Sequence, residues 1–123
     1  MKTALLTITF LLSMMFHAPS LADELPADAI APNSAELKRY LDDRVFNVKL
    51  PDGVSWRLEF NSRGHHFVNV SNGFNGQGNW RTEDGKLCSA LRGDKESCND
   101  VRLVTDVLHL KRNNGQVIQL VPK

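Results

Sequence analysis

Methionine is missing from nearly the whole chain: Met1, Met14 and Met15 are the only three, all near the N-terminus. That excludes a Met-rich copper site or a Met-lined promiscuous groove in the rest of the protein. Cysteine is almost as scarce, with Cys88 and Cys98 the only pair in 123 residues. They form no C-x-x-C and have no histidine beside them, so the usual zinc spacings are absent. An excess of charge is missing too, since fifteen Lys and Arg stand against fourteen Asp and Glu. No basic stripe appears, and nucleic acid or an anionic membrane is not an expected partner. There is no Gly-x-Ser-x-Gly and no cysteine free to act as a nucleophile. The chain therefore reads as non-enzymatic, with no cofactor and no bound metal expected.

Long apolar runs are also absent, apart from residues 4–16 (ALLTITFLLSMMF). That run is too short to cross a bilayer comfortably. Lys2 precedes it, and Ser20-Leu21-Ala22 places small residues where a leader peptidase cleaves. Residues 1–22 are thus expected to be a secretory signal peptide. No cysteine stands at the cleavage site, so no lipid or other membrane anchor is expected. The mature chain, residues 23–123, reads as an exported monomer, periplasmic or secreted, in which Cys88 and Cys98 pair.

Residues 23–33 hold two prolines and three acids and read as a mobile lead-in. One domain, residues 34–123, follows. Asn33 and Glu36 stand at capping-box spacing, and Leu37, Tyr40 and Leu41 make one apolar stripe, which predicts a short helix. The period then changes to two. Phe46, Val48 and Leu50 alternate with polar residues, and Val54, Trp56, Leu58 and Phe60 do so again. Pro51-Asp52-Gly53, Asn61-Ser62-Arg63-Gly64, Asp84-Gly85 and Asn113-Asn114-Gly115 mark turns. About eight strands at such spacing predict a mainly β fold, an antiparallel meander closed as a small barrel or sandwich. The helix is expected to plug one end or cover a sheet edge. Residues 71–79, rich in glycine, read as a flexible loop.

The order of helix, W-x-L-x-F, a Gly-x-Trp ending at Trp80, Asp84-Gly85-Lys86-Leu87-Cys88, Cys98 and a closing hairpin resembles a known group. It is similar to small exported bacterial proteins of unknown function with a lipocalin-like, calycin-type β-barrel. The resemblance spans roughly residues 34–122 and implies a barrel of the cell envelope. It carries no catalytic residues.

Four aromatic residues are candidates for ligand or partner binding. Trp56, Phe60 and Trp80 either line a cavity or fill a core, and Phe74 either anchors a partner or tucks under its loop. His65 and His66 are strand neighbours and point to opposite faces, so sharing one metal ion with Glu59 would require rearrangement. Arg92-Gly93-Asp94 lies in the segment that a Cys88–Cys98 bond would staple. The leading expectation is a binding module for a small apolar ligand or for an envelope or secreted protein. A hydrolase inhibitor using a stapled loop is the alternative, and a histidine-based metalloprotein the third.

Overall fold

Apolar residues at every second position give each strand one face that must leave water, and eight such strands in a row bury those faces by curling together. The computed structural model describes residues 24–123, and the expected signal segment lies outside them. One helix, α1 (Ser34–Leu41), precedes eight strands: β1 (Arg44–Lys49), β2 (Ser55–Phe60), β3 (His65–Val70), β4 (Asn75–Glu83), β5 (Lys86–Leu91), β6 (Ser97–Val104), β7 (Val107–Lys111) and β8 (Val117–Pro122). Each strand pairs antiparallel with the next, and β8 returns to β1 through Phe46↔Pro122 and Asn47↔Val121. The expected mainly β meander is therefore a closed eight-stranded barrel with no free edge.

The helix seals one end. Its capping box forms as the sequence predicts, with Asn33 Oδ1 accepting from the Glu36 amide at 2.8 Å and Glu36 Oε2 accepting from the Asn33 amide. Two turns of helix are not stable in water alone. Leu37 and Leu41 compensate by burying completely against Phe46, Phe60 and Trp80. The rings meet edge to face, Phe46 with Phe60 at 5.9 Å and Phe60 with Trp80 at 5.4 Å. Polar ties fix the helix to the turns beneath it. The Ser34 amide donates to Asp84 Oδ1 and Tyr40 Oη donates to the Asp106 carbonyl at 2.7 Å, while on β4 Trp80 Nε1 donates to the Asn61 carbonyl of the β2–β3 turn. Burial, helped by Asp106, pushes the Tyr40 hydroxyl up to about 12.

Two expectations need correction. The described part of the lead-in is docked: Ile30 exchanges both backbone hydrogen bonds with Leu103, and Pro32, itself buried, accepts from the Gly85 amide. The cause is a length mismatch. β6 outruns β5, whose last paired residues are Lys86↔Asp100, so the backbone of residues 101–104 needs other partners on that side. The Gly85 carbonyl takes the Val101 amide and Ile30 takes Leu103. Second, the glycine-rich segment is largely strand, since β4 starts at Asn75. A Cβ on Gly78 would overlap the Ala90 carbonyl, so glycine here permits a close approach of β4 to β5.

Cys88 and Cys98 face each other across β5 and β6 and are bonded, their Cα atoms 3.9 Å apart. The bond lies on the outer side of the barrel, with Cys88 buried and Cys98 exposed. Arg81 lies beside it and pairs with Glu83 at 3.1 Å and Glu96 at 2.6 Å.

Reducing the disulfide, or replacing both cysteines by serine, should remove about 2–3 kcal/mol by freeing the unfolded chain. That corresponds to a fall in Tm on the order of 10 °C, read by circular dichroism. Gly78→Ala should cost about 3 kcal/mol or more in urea unfolding, because β4 and β5 must separate to admit the methyl group.

Candidate functional site

Three hairpin turns, at residues 61–64, 84–85 and 105–106, lie at the sealed end with α1. The other four, at 51–54, 71–74, 92–96 and 112–116, surround the opposite end. That end is open. A cavity of about 750 Å³ descends into the barrel from it, with Asp52, Asn72, Phe74, Lys95 and Asn113 at its rim. The volume falls within the range of small-molecule sites. Trp56, Leu58, Val68, Leu110 and Ile118 form its walls, since strand alternation sends these side chains inward. Ser89, Ser97 and Asn99 interrupt the apolar surface on the side of β5 and β6.

The floor carries one polar ring. His66 sits opposite Phe60 in the β2–β3 register and stacks on it, centroids 6.1 Å apart and planes 19° from parallel. It is 5% exposed and lines the cavity. Its Nδ1 is the only buried side-chain nitrogen or oxygen among the described residues without a hydrogen-bond partner. Burial lowers its pKa below the ordinary 6.5, and the Asn79 backbone opposes this with a smaller upward pull. The imidazole at neutral pH is uncharged.

The mouth is held by polar contacts. The Arg112 guanidinium lies over the Trp56 indole at 4.8 Å and donates to Gln116 Oε1 at 2.7 Å. Asn99 Nδ2 donates to the Lys111 carbonyl and to Asn113 Oδ1. Below the loop at residues 92–96, Arg81 holds Glu96 with paired hydrogen bonds and keeps its carboxyl below the usual range. Arg92-Gly93-Asp94 forms the tip of this loop, tied back by the Asp94 amide to the Leu91 carbonyl.

The four aromatic candidates separate by depth. Trp56 is on the wall and half-buried, Phe60 is in the floor, and Phe74 is at the rim, 52% exposed. Trp80 packs beneath the floor and is not among the cavity-lining residues. His65 points outward with Nδ1 3.2 Å from Asn79 Oδ1, and Glu59 is on the outer face paired with Arg57. The fold thus keeps His65, His66 and Glu59 apart. Among the described residues, Glu83, Cys88 and Cys98 do cluster, but both sulfurs are committed to the disulfide and supply no thiolate. A second depression, about 540 Å³, runs along the outer face past His65, Gln77, Asn79 and Arg92.

His66 as a lining residue was missed as a binding group, although the signal was present. It shares strand parity with Val68 and Val70, so it belongs to the inward stripe. No family model, curated protein or solved structure matches this chain.

The acid sensitivity of the fold follows from His66. Unfolding returns it to water, where it takes a proton near pH 6.5, while the folded site resists until lower pH. The unfolded state then binds more protons, so stability falls as pH drops below about 6.5. The urea midpoint of the wild type should decline more between pH 7.5 and 5 than that of His66→Leu. Equal declines would show that His66 does not govern this range.

Proposed function

We propose that this protein is a non-enzymatic binding module that carries or senses a small, mostly apolar molecule outside the cytoplasm. The observation that carries the reading is the cavity of about 750 Å³, open at one end of the barrel and lined largely by apolar side chains. Sealing one end leaves a single route in, so a ligand seated on the floor is shielded on all sides but one. Apolar contact supplies the affinity, at roughly 25 cal/mol for each Å² removed from water, and the few polar groups set orientation.

The compartment is consistent with this. A disulfide in a domain of this size belongs to an oxidising environment, and among the described residues no helix is long and apolar enough to cross a membrane. Taken with the signal-like residues 1–22, this supports export to the periplasm or the medium, with the mature chain acting as a monomer. A lipocalin-like mode of action accords with the open barrel. A second reading draws on the β5–β6 loop, which the disulfide and the Arg81–Glu96 pair hold at the rim. A loop ordered before contact meets a protein partner, such as a secreted hydrolase, with little further loss of entropy.

Native mass spectrometry of the exported protein from its host should show a retained small molecule, and the emptied protein should bind an apolar fluorescent dye. Ser89→Phe, which places a ring in the cavity, should weaken dye binding at least tenfold while leaving the circular dichroism spectrum unchanged. Dye binding that survives the filling mutation would remove the cavity reading. Inhibition of a secreted hydrolase by dye-free protein would favour the rim loop.

A further inference from the structure

We infer that the ligand is an anionic amphiphile, with its apolar chain in the cavity and a single carboxylate at the mouth, and that Arg112 is the group that holds the carboxylate. The inference rests on the cavity reading above and adds the charge and the orientation of what is bound. Arg112 follows Leu108 and Leu110 at every second position, so it continues their inward stripe just past the end of β7. It is half-buried and lines the cavity, its guanidinium lying over the Trp56 indole on the wall. Nη1 donates to Gln116 Oε1 at 2.7 Å, and among the described residues no carboxylate pairs with this guanidinium. The rest of the donor fork is left for a partner from outside the chain.

The surroundings select the type of partner. The other charged residues that line the cavity, Asp52, Asp94 and Lys95, are exposed in the rim turns. Asp94 and Lys95 are neighbours and offset each other, and Asp52 Oδ1 accepts from the Val54 amide of its own turn. Of the four, Arg112 is the one stacked on a wall side chain. Its planar fork matches a carboxylate, which accepts two parallel N–H bonds. A dianionic head would bring a second negative charge toward Asp52 and Asp94, and an ammonium head would meet Arg112 with like charge. The head stays at the mouth, because the floor of Phe60, Leu87, Leu120 and the uncharged His66 ring offers no cation. A carboxylate taken there would lose its hydration without gaining a counter-ion, which is a heavy cost. The chain therefore enters tail first. Trp56 and Gln116 hold the guanidinium, and backbone bonds to Gly115 and Gln116 fix the residue itself, so the anchor is ordered before the ligand arrives.

The test uses the full mature chain at neutral pH and three probes of equal chain length, decanoate, 1-decanol and decylammonium, each displacing an apolar dye. Wild type and Arg112→Gln are compared, with thermal melts confirming that the variant folds. The ratio of decanoate to decanol affinity should fall by about tenfold in Arg112→Gln, the low end for a hydrogen bond to a charged group because the mouth is open to water. Taking the ratio removes any general change in the apolar wall, which both probes feel alike. Wild type should bind decylammonium more weakly than decanoate. On the wild type alone, decanoate should move the guanidinium ¹⁵N–¹H resonances of Arg112 and decanol should leave them nearly in place. That measurement stands even if the variant fails to fold. An unchanged ratio, or guanidinium resonances indifferent to decanoate, overturns the anchor while leaving the cavity reading intact. Decylammonium bound as tightly as decanoate overturns the anionic head. Failure of the wild type to bind the dye and every probe removes the cavity reading instead.

Discussion

The packing of Leu37 and Leu41 against Phe46, Phe60 and Trp80 is the contact on which the rest of the structure depends. An eight-stranded barrel has an interior just wide enough for its own side chains to fill. Here the largest rings gather at one end, and the helix adds two leucines to them. Toward the other end Val54, Val68, Val70, Ser89 and Ser97 stand among the inward residues beside Leu91, Leu110 and Ile118, and Trp56 is the one large aromatic ring on the wall. Filling is therefore uneven along the barrel axis. One half is a solid floor and the other is a cup, and both follow from where bulk was placed in the sequence.

The outer surface serves the cup indirectly. β5 and β6 contribute Ser89, Leu91, Ser97 and Asn99 to its wall, and the same two strands are bonded through Cys88 and Cys98 on the opposite face. Arg81 extends that brace to Glu96 in the rim loop. An exposed ion pair contributes little on its own. Its position matters more, because it joins the disulfide to the lip of the cavity. On the other side of the mouth, Arg112 over Trp56 combines a charged rim with an apolar wall.

Much of the architecture was legible from the sequence. The capping box at Asn33 and Glu36, the alternation of Val54, Trp56, Leu58 and Phe60, and the Asp84-Gly85 turn are local signals, and each appears where its spacing predicted. β4 was misread because glycine is ordinarily loop chemistry. At Gly78 it answers to the backbone of Ala90, a residue on another strand. The lead-in was misread for a related reason: its partner, Leu103, becomes available only because β6 is longer than β5. The Thr105 turn carried no glycine signal, although its backbone lies in the left-handed region at φ 55°. For Gly78 and for the lead-in the deciding atom is distant in sequence.

The sequence by itself determined the class of fold, the strand parity and the cysteines available to pair. These depend on periodicity and residue type, which a single chain displays directly. Tertiary structure alone decided that Trp80 lies under the floor while Trp56 faces the cavity, since both occupy inward positions and differ only in depth along the barrel. It also decided that a cavity of about 750 Å³ stays open inside the barrel. Volume inside a closed sheet is a property of all eight strands and the helix together, and no local pattern records it. The same closure leaves the His66 nitrogen buried without a partner.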